Sequence, residues 1–290
     1  MNGKVVFDMS EIHNKFGGRW TIEKLNILSD YLDFYVTALK NQSFNKLYID
    51  AFAGTGHINT KEEDIEIEGS AKLALKVTNP FDEYIFIEKK KSYAKELLKL
   101  KNEFKRLSDR IIIKNEDCNE TLKLLCRSVD WYKNRAVLLL DPYAASVKWE
   151  TLKIVAATGA IDVWYLFPFS AATRMMARDG KSILPSWKVK LDSLFGEDDW
   201  FNHFYKKDMQ LNFFNSDENY YKDANIESMK NYICGRLRSI FPVVAKNPRV
   251  LYNKKNCPLF LFCFAVSSKR ASAQKLAIRG ANYILNYSGR

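Results

Sequence analysis

The run Tyr48-Ile49-Asp50-Ala51-Phe52-Ala53-Gly54-Thr55-Gly56 ends a short apolar segment in a turn with two glycines two positions apart. Glycine lets a backbone bend through positive φ and approach a ligand closely. In open α/β sheets ligands sit outside the carboxyl ends of the strands, near the switch in strand order. Such a turn is a candidate ligand cradle; the plain alternative is a turn without a ligand. It lacks the third glycine of a dinucleotide fingerprint and the Gly-Lys-Ser/Thr of a P-loop, which argues against dinucleotides and nucleoside triphosphates. Three further acids follow later apolar segments. Glu88 comes directly after Tyr84 to Ile87. A carboxylate there can accept from both hydroxyls of a ribose, and it would equally suit the start of a helix dipole. Asp117, in Asn115-Glu116-Asp117-Cys118, is either a ligand acceptor or a helix N-cap, a position aspartate favours; Glu116 is the competing carboxylate. Asp141 closes the run ending Leu139-Leu140 and opens the Asp-Pro-aromatic turn Asp141-Pro142-Tyr143-Ala144.

These residues need elements to hold them. Ile22, Leu25, Leu28, Leu32, Tyr35, Val36 and Leu39 recur close to helical spacing, so Trp20 to Lys40 reads as an amphipathic helix. Lys46 to Phe52, Glu83 to Ile87, Ile111 to Lys114, Ala136 to Leu140 and Asp162 to Phe167 read as strands. Ala136 to Leu140 is nearly all aliphatic, as expected of a strand covered on both faces. Gly69 to Val77, Lys89 to Leu107, the stretch around Asn119 to Leu125 and Lys148 to Thr158 read as intervening helices, and the acidic Thr60 to Glu68 as an exposed loop. Strand alternating with helix argues for a parallel sheet of right-handed βαβ units. The Gly-rich turn and the three acids then fall in chain order at the ends of four successive strands. After Phe169 the rhythm breaks into a segment rich in Trp, Phe and charge. Asn225 to Ile240 is helical again, Val250 to Tyr252 and Pro258 to Val266 form a hairpin, and Ala271 to Tyr287 is a closing helix. The expected organisation is one domain over 1–290, with a helical extension at 1–45, a ligand-binding half at 46–169, an insertion at 170–224 and the rest of the sheet at 225–290.

The chain has 290 residues, 47% of them hydrophobic, enough for a substantial core. No run of about 18 apolar residues exists, so no transmembrane helix is expected, and Met1 to Lys15 has no stretch like a signal peptide's. A cytosolic, cytoplasmic location is the default. Five cysteines, an odd number with no CxxC pair, and three histidines argue against a disulfide framework and a zinc site. A net charge of +11 draws polyanions, nucleic acid first. The lysines and Arg106 of 89–106 read as a solvated helix face.

Asp50, Phe52, Gly54 and Gly56 resemble the first motif of S-adenosylmethionine (SAM)-dependent methyltransferases. Five alternating strands and a hairpin match that fold's order, in which the last strand is antiparallel. The resemblance implies an α/β, Rossmann-like fold with a mostly parallel seven-stranded sheet, SAM as cofactor, and methyl transfer in which the protein mostly supplies positioning. It implies that Asp50, Phe52, Gly54 and Gly56 hold the methionine end, with Ala53 and His57 in the same loop. Glu88 would bind the ribose, and Asp117, beside Cys118, the adenine. Asp141, Pro142 and Tyr143 resemble the fourth motif of amino-methyltransferases, usually Asp/Asn-Pro-Pro-aromatic. There the polar side chain and the Pro carbonyl accept from the target amino group and the ring stacks on the base. This chain has one proline, so its aromatic comes one position early.

A closer resemblance runs through Tyr48 to Gly54, Gly69-Ser70-Ala71, Phe86-Ile87-Glu88, Leu140-Asp141-Pro142-Tyr143, Trp149 and Ile161 to Pro168. These are similar to the three-Cys-motif partner (TcmP) family, which has a methyltransferase-like fold and is named for a gene neighbour, so a protein partner encoded nearby is implied. The position that family often fills with Gly after Asp-Pro-Tyr is Ala144 here. In the insertion Arg174, Arg178, Lys181, Lys188 and Lys190 interleave with Trp187 and Trp200, a mixture suited to phosphate contact and base stacking. Phe167, Pro168 and Phe169 either wall the substrate pocket or belong to the core. The expected acceptor is a nucleic-acid base. The alternatives are a SAM-binding or non-catalytic subunit that presents nucleic acid to another enzyme, and a protein or small-molecule methyltransferase.

Overall fold

The structure, a computed structural model, describes residues 19–59, 66–196, 199–207 and 219–287. Helix α1 (Arg19–Ala38) precedes β1 (Asn45–Asp50), the short strands β2 (His57–Asn59) and β3 (Glu66–Glu68), and α2 (Ser70–Leu75). Alternation follows through β4 (Glu83–Ile87), α3 (Lys91–Glu103), β5 (Ile111–Lys114), α4 (Cys118–Ser128), β6 (Asn134–Leu140), α5 (Trp149–Ala157) and β7 (Ile161–Phe167). The segment after it holds α6 (Phe169–Met175), α7 (Pro185–Phe195), α8 (Trp200–Phe204), β8 (Tyr205–Lys207) and β9 (Tyr220–Lys222). The chain closes with α9 (Ile226–Ile240), β10 (Val243–Val244), β11 (Arg249–Tyr252), β12 (Pro258–Val266) and α10 (Ala271–Tyr287).

The main sheet runs β10-β12-β7-β6-β1-β4-β5, with β11 also paired to β12. β1, β4, β5, β6 and β7 are parallel, and β12 is antiparallel to β7. The mostly parallel α/β sheet with its antiparallel end is therefore the one expected. Two details differ. β10 and β11 pair with the same edge of β12 in successive registers, Val243 with Val266 and Arg249 with Phe262. They form one edge strand interrupted between residues 244 and 249, so the sheet has eight strands in seven positions. Second, the expected loop Thr60 to Glu68 contains β3, which pairs with β2 as a hairpin; residues 60–65 lie outside the described ones.

Period-two alternation decides which face each strand residue serves. Leu47, Ile49, Leu138, Leu140, Val163 and Tyr165 pack on one face with residues of α4, α5, α7 and α9. Tyr48, Val137, Leu139, Trp164 and Leu166 pack on the other with α1, α2, α3 and α10. The segment after β7 is built into the first of these cores through Leu191, Leu194, Phe195, Trp200 and Phe204. Helix α9 starts at a capping box in which Asn225 and Ser228 satisfy each other's backbone N–H groups.

The direction of α1 matters below. Lys24 reaches Asp141 just past the carboxyl end of β6. Tyr31 donates to Asp162, the second residue of β7, at 2.7 Å. The helix therefore runs antiparallel to these strands and touches both rims of the sheet. Among the described residues no helix is long and apolar enough to cross a membrane.

Candidate active site at the switch point

Strand order reverses between β1 and β6, the neighbours at the middle of the sheet. Asp50, Glu88, Asp117 and Asp141 all emerge at the carboxyl ends of adjacent strands, on one rim. The sequence expectation that these four acids belong together holds as a matter of placement.

Asp50 is fully buried. It accepts from the Phe52 amide at 3.2 Å and from the Tyr48 hydroxyl at 3.3 Å. Burial above all, with Asp141 nearby, pushes its carboxyl up to about 6, against the Ser70 hydroxyl, the Phe52 amide and Lys24, which favour the charged form. Its role in this geometry is to tie the turn to β1 and α2. Phe52 is half-buried against the core. Ala53 is buried, and its N–H donates to the Ile87 carbonyl at 3.0 Å. Gly54 and Gly56 have φ of +63° and +76°. A Cβ on Gly54 would meet nothing within 4 Å, so this turn borders open space. A Cβ on Gly56 would press on Leu100 at 2.7 Å. His57 begins β2.

Glu88 is half-buried. Its carboxylate accepts from the Gly54 N–H at 3.1 Å and from the Lys90 N–H at 2.7 Å, one bond to each oxygen. A carboxylate has about four acceptor positions, so Glu88 fastens the Gly-rich turn to β4 and retains capacity for two hydroxyls. Asp117 is the N-cap of α4, accepting from the Asn119 N–H at 3.0 Å, and Lys89 lies 3.2 Å away. Partial burial raises its carboxyl, but the bonds from Lys89 and Asn119 outweigh this and hold it below the usual range. The N-cap alternative is the one observed, and the side chain stands on the rim. Cys118 is buried, and burial above all, with Asp117 beside it, pushes its thiol up to about 12. It is a packing residue rather than a nucleophile.

Two residues that sequence reasoning passed over complete the rim. Lys24 of α1 is only 4% exposed and forms an ion pair with Asp141. Asn119 is buried with all its capacity used. Its amide N–H group donates to Asp117 at 3.2 Å and to the Ser146 carbonyl at 3.0 Å. Its oxygen accepts from the Lys148 N–H at 3.0 Å and the Thr151 hydroxyl at 2.8 Å. One side chain thereby joins the start of α4 to the loop after β6. Nothing in the local sequence marks either role, since the partner of Lys24 lies 117 positions away and the partners that tie Asn119 to the loop after β6 and to α5 lie 27 to 32 positions away.

Pro142 is buried, whereas Tyr143 is 91% exposed and Ala144 has a φ of +54°. Tyr143 lines a groove of about 570 Å³ with Ser146, Arg174, Met175, Trp187 and Lys190. The groove joins the end of β6 to α6 and α7. Arg174 and Trp187 of the expected recognition segment therefore reach the site. Arg178 and Lys188 do not line the groove: the Arg178 carbonyl accepts from the Lys222 N–H at 2.8 Å, and Lys188 pairs with Asp192 at 3.0 Å. The alternative that Phe167, Pro168 and Phe169 wall the substrate pocket is corrected. All three are buried, with Phe167 6.0 Å from Tyr165 and 5.9 Å from Phe195 between ring centres, so β7 delivers them into the core.

No protein-family model and no curated protein matches this chain. Among solved structures, a protein of Legionella pneumophila matches with a TM-score of 0.47 at 10% identity, over 90% of this chain and 92% of that one. Spermidine synthase of Thermotoga maritima matches with a TM-score of 0.43 at 11% identity, over 91% and 62%. The magnesium protoporphyrin IX methyltransferase of Synechocystis, solved with bound SAM, matches with a TM-score of 0.31 at 10% identity, over 76% and 84%.

Proposed function

We propose that this chain is a SAM-dependent methyltransferase acting on an amino group of a nucleic-acid base. The observation that carries the reading is the alignment of Asp50, Glu88, Asp117 and Asp141 along one rim, with the glycine turn between the first two. The rim fits the cofactor's chemistry. Glu88 has acceptor capacity for the ribose hydroxyls, Asp117 for an exocyclic amine, and the space beside Gly54 admits a chain lying along the turn. When bound, SAM supplies an electrophilic methyl group on a sulfonium.

The remaining work belongs to the chain's own groups. Asp141 accepts from the N–H of the incoming amine and sets its lone pair toward the cofactor side. Lys24 fixes the Asp141 carboxylate in direction and offsets its charge. Tyr143 presents an unobstructed ring for stacking on a base, which suits extrusion of that base into the groove. Arg174 and Lys190 lie where a phosphate backbone would pass. The resemblance to the TcmP family adds a protein partner to this reading.

One observation favours a second reading. Lys24 occupies Asp141, the carboxylate an acceptor amine needs. A subunit that works only when a partner shifts α1 would have this arrangement when alone. The test is calorimetric titration with SAM, followed by labelled transfer from SAM onto RNA and DNA pools. Saturable binding and transfer lost in Asp141→Ala support the first reading. Binding without transfer until a partner is added supports the second. Undiminished transfer by Asp141→Ala would sink the role given to the fourth motif.

A further inference from the structure

The opposite rim of the sheet holds a cavity of about 300 Å³ between α1, α10 and the starts of β6 and β7. Such a volume lies at the lower end of small-molecule clefts. Its two ends differ in chemistry. The inner end carries Asp162, half-buried, whose only hydrogen-bond donor among the described residues is the Tyr31 hydroxyl at 2.7 Å. Tyr35 lines the same end, is 4% exposed, and its hydroxyl has no hydrogen-bond partner among the described residues. The outer end is the first turn of α10, a 17-residue helix, with Arg270, Ser272 and the preceding Ser268 at the mouth. Helix first turns present unbonded N–H groups and partial positive charge, which together favour an anion. Between the ends the wall is apolar, from Phe34, Leu39, Phe44 and Leu276.

We propose that this cavity binds a zwitterionic α-amino acid with an apolar side chain. The ammonium lies against Asp162 and Tyr35, the carboxylate against Arg270 and the α10 N-terminus, and the side chain along the aromatic wall. The lining carries both signs, Asp162 on one side and Arg135 and Arg270 on the other, which suits a ligand carrying both charges better than a plain cation or a plain anion. This site is independent of the methyl-transfer reading, because it uses no residue of the other rim.

The test titrates the full chain with L-phenylalanine, phenethylamine and phenylacetate by calorimetry, the two controls each lacking one charge. L-phenylalanine is expected to saturate, with each control weaker by about tenfold or more, near 1.4 kcal/mol. Arg270→Ala, at the exposed mouth, should weaken L-phenylalanine by about fivefold at an unchanged melting temperature. Asp162→Asn should erase the preference for L-phenylalanine over phenylacetate. Absence of saturation at roughly 10 mM, where even a millimolar site would fill, overturns the proposal. So do controls that bind as well as the zwitterion, or Arg270→Ala binding like the parent.

Discussion

Lys24 and Asp141 carry the sharpest prediction at the level of single residues. Breaking a largely buried pair leaves an uncompensated charge, here beside the buried Asp50. Lys24→Met should cost roughly 3 kcal/mol in urea unfolding, and adding Asp141→Asn should recover part of it; additive losses would show the two are not coupled. Asp162 gives a pH signature. Burial raises its carboxyl from 3.8 to about 7, with the Tyr31 bond opposing. Between these values the unfolded chain has released this proton and the fold keeps it, so stability falls as pH rises through the window and levels off above 7. Asp162→Asn should remove that slope, worth at most roughly 4 kcal/mol between pH 4 and 8, as read by paired denaturation curves. Ala144 sits at a φ of +54°, a region glycine enters at little cost. Ala144→Gly should therefore raise stability by about 1 kcal/mol, and an unchanged or lowered midpoint would mean that its methyl packs usefully in the groove.

Elements were legible in proportion to their length and burial. Glu83 to Ile87, Ile111 to Lys114, Pro258 to Val266 and the helix from Ala271 to Tyr287 stand where apolar pattern placed them. β2, β3 and β10 have two or three residues each, too few to show a period, and pairing alone creates them. The acids were readable because each ends or follows a strand of clear pattern. Lys24 was not, because helical periodicity marks it only as a position on α1, and its partner comes from another part of the chain. The same limit hid the fate of Phe167 and Phe169, whose aromatic character suits a pocket and a core equally. Among the turns, Gly196 ends α7 at a φ of +80°, and a Cβ there would overlap the Trp149 ring. Trp149 is buried, so Gly196→Ala should lower stability by roughly 3 kcal/mol or prevent folding. A thermal scan close to the parent's would show that α7 is free to lift from α5.

The molecule as a whole carries +11, and the question is which part of that charge works. If nucleic acid follows the groove, Arg174→Ala should flatten the dependence of log affinity on log salt by about 0.7 for single strands. Lys95→Ala, on the exposed face of α3, should leave that slope alone. Fluorescence anisotropy over a salt series reads both. The reverse result would move the binding surface to α3 and detach it from the acids of the rim.

Helix α1 also sets an order of events during synthesis. It is made before every strand it covers, and its partners come late: Asp141 after 117 residues, Asp162 after 131. The Phe264 ring that Tyr31 packs on at 4.9 Å belongs to β12, and Phe34 lies over Gly280 of α10. Among the described helices α1 is thus made first, and its apolar stripe stays exposed until β12 and α10 have been made. Moving α1 to the far end of the chain by circular permutation would shorten that wait without changing a contact.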